Sequence, residues 1–211
     1  MIWDPVRLSL QVMLVASPAV FIIGLALAVI LAKRTFRGQV VLETVVMLPL
    51  VLPPTVLGYG LLRVLGSGSP LQDWFRLDIL FTWQAAAIAA TVAGIPLMVQ
   101  AARAGVRNVD PTLEHAAANL GADRLTVLLQ VTVPMAKRGI IAGTVLGTLR
   151  AFGEFGATMM VAGSIPGRTQ TMPLAVYDAV QVRDFDLANT LVVIMVALSF
   201  AGLFLARRLS R

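Results

Sequence analysis

The sequence predicts an all-α, polytopic membrane protein with five transmembrane helices. The first reason is composition: 58% of the 211 residues are hydrophobic, 13% are charged, and the mean hydropathy is +0.85. A soluble domain carries about a quarter charged residues. The second is the spacing of five apolar stretches, Leu8–Ala32, Val40–Leu62, Ile79–Ala102, Arg138–Ala162 and Leu187–Ala206. Each supplies the roughly 20 apolar residues that cross about 30 Å of hydrocarbon as a helix. The third is the placement of charge. The links at 33–39, 103–137 and 207–211 hold Lys33, Arg34, Arg37, Arg103, Arg107, Arg124, Lys137, Arg207, Arg208 and Arg211, with Arg138 at a boundary. The other links hold Arg7, Arg63, Arg76, Arg168 and Arg183 among six aspartates. By the positive-inside rule the first set is cytoplasmic, which puts the N-terminus outside and the C-terminus inside.

The first stretch begins MIWDPVR, without a basic leader, and its apolar run exceeds that of a signal peptide, so it reads as a retained span. The second contains MLPLVLPPTVLGYG. Pro49, Pro53 and Pro54 remove backbone donors and bend or break the helix, and the freed carbonyls need neighbouring helices or a wet cavity. Gly58 and Gly60 then permit close approach. A hinged, pathway-lining helix and an ordinary kinked helix both fit. Next comes GSGSPLQDWFRLD, a short exterior loop, with Trp74 and Trp83 as interfacial anchors of the third span.

Between spans three and four lies Val109–Arg138, polar enough to stay outside the bilayer yet helical in pattern. Asp110-Pro111 opens one helix, carrying Leu113, Ala116, Ala117 and Leu120 and stopping near Gly121. A second begins near Ala122-Asp123, carries Leu125, Leu128, Leu129 and Val133, and meets Pro134. Two short amphipathic helices on a glycine joint form a compact knob suited to docking a partner; an ordinary helical hairpin fits as well.

The fourth stretch reads GIIAGTVLGTLRAFGEFGATMM. Gly139, Gly143 and Gly147 form a small-residue ridge that lets helices pack closely. At about 100° per residue, Arg150 and Glu154 fall on the same face, so an intramembrane ion pair points into the bundle. It either fixes helix packing or borders the pathway. After it, Thr171 could cap, and Pro173 open, a helix from Leu174 to Val182, too short to span and placed on the exterior side.

Several function classes fall away. Without cysteine there is no disulfide, iron–sulfur cluster or Cys-ligated zinc, and His115 alone cannot build a histidine metal site. The net charge of +6 is a topology signal rather than a nucleic-acid footprint. No GxxxxGK[ST] phosphate loop is present, so the energy source is another chain or an ion gradient.

The knob resembles the cytoplasmic loop of ABC-importer permeases: Glu-Ala-Ala, three residues, Gly, nine residues, then Ile-x-Leu-Pro. Ala116, Ala117, Gly121, Val131, Val133 and Pro134 match. The family Glu falls on His115, with Glu114 one residue earlier. LPLVLPPTVLGY, GEFGAT and IPGRTQTMPLAVY narrow the resemblance to molybdate or tungstate importer permeases, with weaker likeness to sulfate/thiosulfate permeases. It covers nearly the whole chain and implies one permease domain over 1–211, in the bacterial inner membrane. It also implies a homodimer, two ATPase subunits that bind ATP and Mg, a periplasmic substrate-binding protein, and no cofactor or catalytic site on this chain. Glu114, His115, Ala116, Ala117, Leu120 and Gly121 are then the coupling surface. An ion-coupled secondary transporter or a channel subunit remain as alternatives.

Overall fold

The computed structural model describes residues 2–66 and 79–209. Most of the expected exterior loop, with Trp74, and the basic residue Arg211 lie outside them. The helices are α1 (Trp3–Lys33), α2 (Gln39–Val51), α3 (Pro54–Leu65), α4 (Trp83–Arg107), α5 (Pro111–Asn119), α6 (Arg124–Met135), α7 (Lys137–Phe152), α8 (Gly156–Ala162), α9 (Met172–Gln181) and α10 (Phe185–Leu209). No strand occurs among the described residues. Among the described residues three helices, α1, α4 and α10, are long and apolar enough to cross a bilayer. The count reaches five if the bent pairs α2–α3 and α6–α7 are each one span.

The centre of the bundle is α4, packed between α1 and α7. Ala85, Ala86, Ala87, Ala89, Ala90 and Ala93 are buried along it, and so are Met98, Val99 and Ala102. Alanines on every side make α4 thin, so neighbours approach from both faces. The predicted glycine ridge meets it there. A Cβ on Gly139 would lie 2.6 Å from the Gly105 Cα, and one on Gly143 2.8 Å from the Met98 carbonyl oxygen. One on Gly147 would lie 2.9 Å from the Gly94 carbonyl oxygen. The ridge is therefore answered by small residues on α4, as close helix packing in lipid requires. By contrast, α10 is mostly exposed.

The proline-rich second stretch breaks, as expected, and turns through 119° between Val51 and Pro54. Gly58 makes the expected close approach, to Ala157 and Met160 of α8; Gly60 faces open space. Three expectations need correction. The third span starts at Trp83, not Ile79, because Phe81 takes a positive φ of 58° and donates its N–H to the Val161 carbonyl at 2.8 Å. The fourth is not continuous: α7 ends at Phe152, and Gly153, Glu154 and Phe155 separate it from α8. The short helix after it begins at Met172, with Thr171 in the cap position but making no side-chain cap bond.

Candidate functional site

The knob folds as its caps dictate. Asp110 accepts from the Thr112 N–H at 2.9 Å, and Asp123 from the Thr126 N–H at 3.0 Å. Those hydrogen bonds hold both carboxyls below their usual value. Gly121 joins the two helices at φ +91°, a left-handed conformation that glycine adopts without strain. Ahead of Pro134, α6 widens into a π-turn over Leu128–Thr132; Pro134 has no N–H to continue the α ladder.

No residue of α5 is buried. His115 and Ala116 are exposed, Ala117 is half-buried, and Leu120 is 90% exposed, with Leu113, Leu125 and Leu129 also exposed. These apolar side chains lie on the exposed surface of the knob around the glycine turn.

Glu114 is used differently. Its carboxylate lies 2.7 Å from the Lys33 Nζ at the end of α1 and accepts a hydrogen bond from the Thr132 Oγ1 in the π-turn. Burial pushes this carboxyl up, but the bonds from Lys33 and Thr132 and the Lys33 charge outweigh it and hold it below the usual value. One carboxylate thus ties the knob to the first span. A second clamp, Arg103 on Glu43, joins α4 to the start of α2 at the same end of the bundle. In the sequence Lys33 stands out only as a topology charge; its partner is 81 residues away, and nothing local marks it.

The second cluster is the break between α7 and α8. Arg150 Nη1 donates to Glu154 Oε2 at 2.7 Å, and Glu154 Oε1 accepts from the Ala157 N–H at 2.8 Å. The pair therefore bridges two helix ends rather than sharing one helix face, and Glu154 caps α8. The Glu154 side chain is 1% exposed and that of Arg150 is 28%. Gly153 and Gly156 flank Glu154-Phe155 and weaken the helix there, and the Glu154 carboxylate supplies a partner for the Ala157 N–H. A Cβ on Gly156 would lie 2.5 Å from the Pro54 Cβ. The break between α2 and α3 thus meets the break between α7 and α8.

On the far side of this crossing, Asp178 of α9 accepts from Gln170 at 2.7 Å and from Ser164, while Met172 N–H donates to Ser9 Oγ at 2.8 Å. The Met172–Ser9 bond seats the start of α9 against α1, and the Asp178 bonds tie α9 to the segment that precedes it. Among the described residues no three His, Asp or Glu side chains are grouped to hold a metal ion.

The chain resembles the molybdenum transport system permease protein ModB of Escherichia coli K12 at 42% identity, covering 99% of this chain and 93% of that protein. It is 32% identical to the sulfate transport system permease protein CysW of Synechococcus elongatus, over 96% of this chain and 72% of the relative. Its fold is that of a chain from the MetNI methionine ABC transporter in an inward-facing conformation, with a TM-score of 0.78 and 19% identity, covering 100% and 96% of the two chains. Residues 22–211 match the profile of one family, and the chain belongs to it: the inner membrane components of binding-protein-dependent transport systems.

Proposed function

We propose that this chain is the membrane-spanning subunit of an ATP-driven importer for molybdate or a similar tetrahedral oxyanion. The observation that carries the reading is the 42% identity, end to end, with a molybdenum permease, against 32% for a sulfate permease. The knob faces the cytoplasm, where most basic link residues lie, with the N-terminus outside and the C-terminus inside. Two copies pair in the membrane, and each knob docks on an ATPase subunit through Leu113, His115, Ala116, Ala117, Leu120 and Gly121. ATP and Mg belong to that partner; this chain carries out no hydrolysis. A periplasmic binding protein delivers the anion at the opposite face.

The geometry supports a route for coupling. The Glu114–Lys33 bond passes motion of the knob to α1, and the π-turn passes it to α7 through the 74° bend between α6 and α7. The two touching breaks convert that motion into opening of one side or the other. Transport of this kind is a shift between two accessible states, so the chain need hold its cargo only weakly.

Reconstituting the chain with its ATPase and binding protein, and measuring uptake of molybdate against competing tungstate and sulfate, tests the reading. Molybdate uptake that sulfate does not suppress supports it. Sulfate uptake that molybdate does not suppress moves the chain to the sulfate class.

A further inference from the structure

We propose that one water molecule is bound behind the Arg150–Glu154 pair and joins α9 and α1 to the break between α7 and α8. A small cavity lies there, lined by Ser9, Glu154, Thr158 and Thr171 with Val12 and Phe152. It leaves about 10 Å³ for the centre of a water molecule, close to the least that holds one. All four polar residues are at least nine-tenths buried: Thr158 is 2% exposed, Ser9 3%, Glu154 3% and Thr171 6%.

Their hydrogen-bonding capacities leave a gap of one shape. The Thr171 Oγ1 is buried with no protein partner, although it lines the cavity and sits at the cap position of α9. Ser9 Oγ accepts from the Met172 N–H, which leaves its own O–H to donate. Glu154 Oε1 and Oε2 each accept one bond and each keep a further lone pair. The wall therefore offers two hydroxyl donors and a carboxylate acceptor, with Thr158 able to serve as either. Water matches that set, accepting from Ser9 and Thr171 and donating to Glu154.

Charge excludes the other occupants of this size. An anion would meet the Glu154 carboxylate. A cation would add charge beside a carboxylate that Arg150 already neutralises, and a surplus buried charge is costly. The bound water adds a polar link between elements that the Ser9–Met172 bond already joins.

The test is Thr171→Val, which keeps the shape and removes the hydroxyl, in the purified protein with the subunits that accompany it. With water bound, the valine strips it of a partner, so the thermal inactivation temperature falls and Thr171→Ser stays nearer to wild type. In a dry cavity the same change removes an unpaired buried hydroxyl, so the temperature rises or stays level; that result overturns the proposal. A wild-type structure that resolves ordered water is expected to show one peak within hydrogen-bonding reach of Thr171 Oγ1 and Glu154. A cavity without density, or density with the coordination of an ion, also overturns it.

Discussion

Removing Arg150 is expected to harm assembly more than removing its partner, because the two ends of the pair are buried unequally. The Glu154 side chain is 1% exposed and the Arg150 side chain 28%. Arg150→Gln leaves a buried carboxylate without its counter-charge, held by the Ala157 N–H and the proposed water. Stranding one member of a buried pair costs about 3–5 kcal/mol, and the remaining cap bond places this case near 3. Glu154→Gln keeps an oxygen for the Ala157 N–H and leaves a guanidinium that reaches its more open surroundings, at about 1–2 kcal/mol. The double change to glutamine removes both charges, so it recovers about 1–2 kcal/mol relative to Arg150→Gln alone. Yield and thermal inactivation of the purified complex report the order. If Glu154→Gln is the more damaging single change, or the double loss equals the sum of the singles, the pair does not work as described. Uptake by double-mutant complexes present at normal amounts then separates two roles. Full uptake leaves the pair a packing role, and lost uptake places it on the pathway.

Four further outcomes follow from the geometry. Leu120→Asp, at a side chain 90% exposed, should leave insertion and folding intact and lower recovery of the ATPase with the permease; undiminished recovery would put docking elsewhere. Gly121→Asp should do more harm, since a residue other than glycine at φ +91° adds strain of about 1–3 kcal/mol. Gly139→Val places new atoms against the Gly105 backbone, where even a Cβ stands 2.6 Å away, so it should lower the inactivation temperature, by an overpacking cost of about 1–3 kcal/mol; an unchanged temperature would mean that α4 and α7 are not locked there. Lys33→Met should weaken the clamp in a pH-dependent way. The folded Glu114 carboxyl is held below its unfolded value, so its contribution is complete above about pH 4.3 and is lost as pH falls through the lower folded pKa. The stability difference between wild type and Lys33→Met should therefore be largest near neutrality and shrink in acid; a difference constant over that range would remove Glu114 from the clamp.

What the sequence disclosed was what short-range pattern controls. Asp110, Gly121 and Asp123 signalled the ends of two short helices, and both aspartates cap as expected. Gly139, Gly143 and Gly147 marked a packing face, and that face meets α4. The break at Glu154 was missed because apolar residues continue on both sides of it, so the hydropathy pattern does not change. Gly153 and Gly156 around a carboxylate were the available signal. Arg150 and Glu154 do pair, but across a helix break, because the helical angle that puts them on one face applies only up to Phe152. Lys33–Glu114, Arg103–Glu43 and Ser9–Met172 join residues 60 or more positions apart, and such contacts arise only from the packing of whole helices.

ATP hydrolysis by the assembled transporter in a lipid bilayer, with its binding protein present, is the most direct measurement. Coupled import predicts that molybdate-loaded binding protein accelerates hydrolysis and that Leu120→Asp abolishes the acceleration. Molybdate uptake that proceeds without ATP, driven by an ion gradient, would contradict it.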